Sequence, residues 1–280
     1  MPPKTPARQT LDLNGFPLAY IDRGAANGLP PVICVHGLTR NARDFDYLGE
    51  AMESGRRVIA IDVAGRGGSG RLPDPALYQP PVYAQQIMAA IERWGFKEVD
   101  WVGTSMGGLI GMGVAMAKPG LIRRMALNDV GAFLPKAALS RIAGNLARTP
   151  QFKDLAEAET HYRAYAVSFG LKSDEHWRYF AEISVEKGED GLYRPAFDPA
   201  IGAAFAAGYP SDVTLWPVWE AVTCPVLLLR GVESDILPRA TALGMASRPG
   251  VDLVEFEGVG HAPMLFDPDQ IEVVKAWLGR

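Results

Sequence analysis

Apolar positions along this chain follow two rhythms. Short runs rich in β-branched residues, such as Val32-Ile33-Cys34-Val35 and Val226-Leu227-Leu228-Leu229, alternate with stretches where apolar residues recur every three or four positions, as from Val82 to Trp94. A short continuous apolar run bounded by turn residues fits a strand buried on both faces, and the three-to-four spacing fits an amphipathic helix. The pattern predicts strands at Leu18–Ile21, Val32–Val35, Val58–Ile61, Val99–Val102, Met125–Leu127, Val226–Leu229 and Asp252–Phe256. It predicts helices at Arg43–Met52, Val82–Trp94, Met106–Ala117, Arg239–Ala246 and Gln270–Leu278, several with Pro or Gly near an end. Strands alternating with helices in this way give an α/β fold, a mostly parallel central sheet flanked by helices.

Between Leu127 and Val226 the strand rhythm stops. Helical spacing rich in Ala and aromatics replaces it, with Tyr162, Tyr165, Phe169, Trp177, Phe180 and Tyr209 among the rings. Because the sheet rhythm resumes afterwards, the segment reads as an insertion into one domain and not as a second tandem domain. The expected organisation is a core of residues 1–130 and 220–280 with a helical cap at 131–219.

Composition adds exclusions. A chain that is 48% hydrophobic and 21% charged folds around a core. Its formal charge of -4 and its lack of any Lys/Arg block exclude a nucleic-acid partner. No apolar run approaches the roughly 20 residues that cross a bilayer, so no membrane partner is expected. The opening MPPKTPARQT has basic residues without a following apolar run and reads as a flexible polar leader, not a signal peptide. Cys34 and Cys224 lie in or beside apolar strand-like runs, which points to buried thiols and a reducing, cytoplasmic compartment.

The chemistry starts at Gly103-Thr104-Ser105-Met106-Gly107, a G-x-S-x-G sequence between a predicted strand and an Ala/Gly/Met-rich predicted helix. A sharp strand-to-helix turn strains its middle residue, and Gly103 and Gly107 remove side chains that would strike neighbouring backbone. Ser105 is then presented at a helix N-terminus, where free amides and the helix dipole favour developing negative charge.

The chain resembles the α/β-hydrolase superfamily from Ile33 to its C-terminus. The likeness is carried by Val35-His36-Gly37-Leu38, Asp62-Val63-Ala64-Gly65-Arg66-Gly67-Gly68-Ser69, Gly231-Val232-Glu233-Ser234-Asp235 and Gly258-Val259-Gly260-His261-Ala262-Pro263, together with the Ser105 turn. It implies the α/β-hydrolase fold, with a helical cap inserted between strands 6 and 7 of the family's sheet.

A serine hydroxyl needs a base to take its proton, and the base needs an orienting acid, in the order Ser, Asp/Glu, His. Of the four histidines, His36 belongs to the His-Gly turn and is a loop organiser, while His161 and His176 lie in the cap segment. That leaves His261, in a Gly-rich loop after a strand, as the base. Asp235 follows the strand VLLLRG, precedes His261 by 26 residues and occupies the loop where the superfamily carries its acid. Asp129 is the rival, since some branches place the acid after the earlier strand. By resemblance the oxyanion donors are the backbone N–H groups of Leu38 and Met106, with Gly37 keeping the approach to the substrate carbonyl open. Arg40 and Arg43 follow the turn and are expected in solvent, the alternative being that one of them meets a substrate carboxylate.

Gly65 to Gly70 spell G-x-G-x-x-G, but prolines follow where a dinucleotide-binding motif opens a helix, so the run is assigned to a loop and no cofactor is expected. No metal is expected either, because paired ligand spacings are missing. The resulting expectation is a serine hydrolase cleaving a small carboxylic ester or lactone, in part apolar or aromatic, through an acyl-Ser105 intermediate. The alternatives are carbon–carbon bond hydrolysis of dienoic ring-cleavage products, amide hydrolysis on the same residues, or a catalytically silent ligand-binding module. Arg141, Arg148, Arg163, Arg178 and Arg194 are each candidates to meet an anionic group.

Overall fold

The computed structural model describes residues 2–146, 148–205 and 211–280. Strands β1 (Gln9–Leu13), β2 (Phe16–Arg23), β3 (Val32–Val35), β4 (Val58–Ile61), β5 (Val99–Thr104) and β6 (Ile122–Asn128) are followed by two short ribbons. These are built from β7 (Phe133–Leu134), β8 (Val185–Lys187), β9 (Tyr193–Pro195) and β10 (Val213–Thr214). Strands β11 (Val226–Gly231) and β12 (Val251–Phe256) complete the central sheet, ordered β1-β2-β4-β3-β5-β6-β11-β12. The β1–β2 and β2–β4 pairs are antiparallel, and the pairs from β4 to β12 are parallel.

Parallel neighbours require a crossover, and helices supply it. Helices α1 (Asp46–Met52), α2 (Pro80–Arg93), α3 (Met106–Ala117), α9 (Arg239–Ala246) and α10 (Pro268–Leu278) cover both faces of the sheet. Successive strand side chains alternate between the faces: Ile33 and Val35 enter one core with Ile87 and Ile110, whereas Val32 and Cys34 enter the other with Leu48 and Trp277. Burial on both sides is why these strands appear in the sequence as unbroken apolar runs.

Two expectations are corrected at the N-terminal side. The polar leader is not loose: Thr5 Oγ1 donates to Asp46 at 2.7 Å, Arg8 Nε reaches Asp62 at 2.7 Å, and β1 begins at Gln9. β1 is an edge strand with one face open, so it lacks a continuous apolar run. The helix expected at Arg43–Met52 divides into a 3-10 turn, Ala42–Phe45, and α1.

Between β6 and β11 lie α4 (Lys136–Leu146), α5 (Leu155–Tyr165), α6 (Asp174–Ser184), α7 (Ala200–Phe205) and α8 (Trp216–Glu220). The strand signal expected to vanish here survives as the two ribbons, and β7 pairs with β10 so that the two ends of the segment are tied together. Its aromatics largely pack on one another: Phe152, Tyr162, Trp177 and Phe180 form a cluster with Met264 and Phe266. Tyr209 lies outside the described residues. Among the described residues, no helix is long and apolar enough to cross a membrane.

The α3 N-terminus touches the sheet through glycine. A methyl group on Gly107 would collide with the Val35 carbonyl, and one on Gly103 with the Gly107 carbonyl. Gly144, exposed inside α4, has open space around it. Gly107→Ala is therefore expected to destabilise the protein by at least about 1–3 kcal/mol, the cost of overpacking. Gly144→Ala is expected to stabilise it by about 0.5–1 kcal/mol through helix propensity. Urea unfolding monitored by circular dichroism checks both signs.

Candidate active site

Ser105 sits between the end of β5 and the start of α3 with φ 52° and ψ −114°. Left-handed backbone at a residue with a side chain costs about 1–3 kcal/mol and persists only where its surroundings enforce it. Here they do. The Ser105 N–H donates to the Asn128 carbonyl at 2.9 Å, and the Ser105 carbonyl accepts from Gly108 at 2.9 Å as α3 begins. Asn128 Nδ2 also donates to Thr104 Oγ1 at 3.0 Å and to the Pro263 carbonyl at 2.7 Å. One asparagine thus joins the loops that carry Ser105 and His261.

Ser105 Oγ lies 2.8 Å from His261 Nε2, and His261 Nδ1 lies 2.7 Å from Asp129 Oδ2. Asp129 is fully buried at the end of β6, with φ 56°. Its Oδ1 accepts the Gly231 N–H at 2.9 Å, and its Oδ2 also accepts the Ser234 hydroxyl at 2.6 Å. The acid facing His261 is therefore Asp129, the rival, and not Asp235. Asp235 is 47% exposed and holds Arg141 in a two-pronged ion pair at 2.7 and 2.8 Å. The cause is local: the Ser234 N–H closes a turn onto Gly231 at 3.0 Å, which aims Ser234 at Asp129 while the next residue, Asp235, pairs outside. No sequence signal marked Ser234 as part of this arrangement.

Met106 heads α3, so its N–H belongs to the first turn, where amides have no partner within the helix. Among the described residues neither the Met106 nor the Leu38 N–H donates to a protein acceptor. The Leu38 carbonyl is held from behind by Arg66 Nε at 2.9 Å. His36 organises the same loop: it contacts the Gly37 carbonyl through Nδ1 at 2.7 Å and accepts the Val63 N–H on Nε2 at 2.9 Å. Because Nε2 accepts, the ring proton resides on Nδ1, and burial pushes the imidazole pKa down to about 3. A methyl group on Gly37 would stand 3.8 Å from Ser105 Cβ and 3.7 Å from Arg40 Cγ, ordinary contacts with the protein that fill space beside the hydroxyl.

The arginines expected in solvent are not both there. Arg40 is buried, grips Asp44 with three hydrogen bonds, and lies 3.9 Å over the Phe180 ring. Arg43 is partly buried and pairs with Asp46 at 3.2 Å. The G-x-G-x-x-G run is a loop around the fully buried Asp62, whose carboxylate accepts from Ala42, Gly68 and Arg8. His161 and His176 lie apart from the Ser105 line: His161 stacks on Tyr165, and His176 packs against Tyr47 and Phe266. Among the described residues no group of three or more His, Cys, Asp or Glu is placed to hold a metal.

Ser105 opens onto a cavity of about 550 Å³ whose walls are mainly aliphatic, including Leu38, Met88, Leu109, Leu139, Ile142 and Val218. The rings of α5 and α6 do not line it. A model of the Alpha/beta hydrolase family matches residues 32–274. The chain belongs to this family, and its activity is that of a hydrolase of the α/β-hydrolase type. It is 38% identical over 265 residues to a 3-hydroxybutyrate-oligomer hydrolase of Cupriavidus necator, covering 91% of this chain and 90% of that one. It is 28% identical over 254 residues to a 2-(acetamidomethylene)succinate hydrolase of Mesorhizobium japonicum, covering 90% and 87%. The crystal structure of an alpha/beta hydrolase from Novosphingobium aromaticivorans superposes with a TM-score of 0.91 at 34% identity, covering 98% of both chains.

These contacts separate the two aspartates experimentally. With 4-nitrophenyl butyrate as substrate, Asp129→Asn is expected to lower kcat by on the order of 10⁴, as loss of the orienting acid does in such a constellation. Asp235→Asn breaks only an exposed ion pair worth at most about 1 kcal/mol and is expected to leave kcat near the parent value. Ser234→Ala removes a hydrogen bond to a carboxylate, worth about 1.5–3 kcal/mol, and is expected to fall between them. The reverse order of the two aspartate variants would contradict the assignment.

Proposed function

We propose that this protein hydrolyses carboxylic esters through an acyl-Ser105 intermediate and that its substrates are short ester-linked oligomers of small hydroxy acids. The observation that carries the reading is the unbroken hydrogen-bond line from Ser105 through His261 to the buried Asp129, opening on an aliphatic cavity.

In this mechanism His261 Nε2 takes the Ser105 proton as Oγ attacks the ester carbonyl. The carbonyl oxygen becomes an oxyanion facing the N–H groups of Leu38 and Met106; such donors are worth about 10²–10³ in rate each. Asp129 stays ionised, orients the imidazole and stabilises its protonated form. His261 then returns the proton to the departing alkoxide. Water, deprotonated by His261, attacks the acyl carbon, and collapse of the second tetrahedral intermediate releases the acid and restores Ser105. Residues 131–219 act as a cap, supplying cavity walls from Leu134 on β7, Leu139 and Ile142 on α4, and Val213 on β10.

The substrate class draws on the relative named a 3-hydroxybutyrate-oligomer hydrolase. Each unit of such an oligomer carries an ester carbonyl and a methyl branch, which suits a wall of Leu, Ile, Val and Met. A fluorophosphonate probe is expected to label the wild type and not Ser105→Ala, and the wild type is expected to release monomer from linear 3-hydroxybutyrate trimer. Bleaching of a coloured dienoic ring-cleavage product without ester turnover would replace ester hydrolysis by carbon–carbon hydrolysis. Ligand retention with neither turnover nor labelling would identify a binding module.

A further inference from the structure

A second cavity, of about 340 Å³, lies next to the first and differs from it in chemistry. Among the described residues none lines both, but neighbouring residues are divided between them in a definite order. Leu38 lines the Ser105 cavity, while Thr39 and Arg40, the next two residues, line the second. Along α4, Leu139 and Ile142 face the first, whereas Asn145 and Leu146 face the second. From Ile142 to Asn145 the helix advances about 4.5 Å at 1.5 Å per residue. A substrate chain running along α4 away from Ser105 would pass from aliphatic walls toward a chamber where Arg40, Asn145, Arg148 and His161 stand among aromatic rings.

The second chamber combines nitrogen-bearing and aromatic side chains. Among the described residues Arg40, Arg148 and His161 line it, and no carboxylate does. The Arg40 charge is met by Asp44, but among the described residues no carboxylate pairs with Arg148; burial first, and then the Arg148 charge, push the His161 pKa down. His161 stacks 5.9 Å from Tyr165 at 12° and lies 5.1 Å from Phe152, which holds the imidazole at the chamber wall. Arg148, exposed and without a carboxylate partner among the described residues, and the fixed imidazole thus offer N–H donors of the kind that meet a carboxylate.

We infer that this second cavity, through Arg148 and His161, binds the terminal carboxylate of the ester substrate while the adjacent ester lies over Ser105. The inference rests on the ester-hydrolase reading and sharpens it: the preferred substrate is a linear ester whose leaving alcohol carries a free carboxylate, and neutral chains are poorer.

The test pairs the linear dimer of 3-hydroxybutyrate with its terminal carboxamide, scoring release of 3-hydroxybutyrate by chromatography. The wild type is expected to favour the acid about tenfold in kcat/KM, mainly through KM; Arg148→Ala is expected to bring the ratio near one, and Arg148→Lys to keep part of it. A wild type that cleaves both equally, or an Arg148→Ala variant that retains the preference, overturns the subsite while leaving ester hydrolysis intact. A readout without turnover uses Ser105→Ala: the acid, but not the amide, should raise the pH at which the His161 ring titrates by NMR, because a bound anion favours imidazolium. That shift without turnover of any ester by the wild type would retain the subsite and refute the hydrolytic reading. No shift from the acid at saturation would refute the subsite.

Discussion

The charge of Asp129 holds this site together. A carboxylate removed from water is tolerable only when its oxygens are met by donors, and losing one such hydrogen bond typically costs about 1.5–3 kcal/mol. The donors here come from separate parts of the sheet: Gly231 and Ser234 from the end of β11, and His261 from the loop after β12. Asp129 itself ends β6. The acid therefore fixes the spacing of three strand ends as well as the orientation of one imidazole.

Its position explains the two strained backbones. Thr104 on β5 is paired with Asn128 on β6, so Ser105 and Asp129 are the residues immediately beyond that register position on neighbouring strands. Both adopt positive φ, and the Ser105 N–H closes onto the Asn128 carbonyl between them. An acid on β6 stands one strand from the nucleophile, whereas one on β11 stands two strands away. The shorter path leaves the β11 loop free to support Asp129 through Ser234 and to hold a cation, Arg141, through Asp235.

Much of this was legible in the sequence because it depended on local chemistry. Buried parallel strands display both faces as apolar runs, so β3, β4 and β11 were plain, and the glycines around Ser105 marked the turn whose backbone clearances require them. The choice between Asp129 and Asp235 was not local. Both follow a strand and precede His261 in the same order, and only the side-chain direction set by the Ser234 turn distinguishes them. Arg40 misled for a similar reason: an arginine after a His-Gly turn reads as solvated unless its partner Asp44 and its aromatic cover Phe180, far along the chain, are known. Edge strand β1, half open to solvent, had no apolar run to betray it.

The exposed ion pair at Asp235 ties the β11 loop to α4. Arg141 lies on α4 between Leu139 and Ile142, which face the Ser105 cavity, and one turn before Asn145, which faces the second cavity. Asp235 adjoins Ser234, which supports Asp129. The helix that walls both cavities and the loop that supports the buried acid are thus joined by adjacent residues. That exposed pair is worth at most about 1 kcal/mol, whereas α4 is held to the core by the buried side chains of Ala138, Leu139 and Leu146. Ser234 remains anchored by the Leu237 N–H at 3.1 Å and by Asp129 at 2.6 Å. The line from Asp129 to Ser105 therefore does not depend on the Asp235 pair, because that weak contact is exposed while the bonds that hold Asp129 are buried in the core.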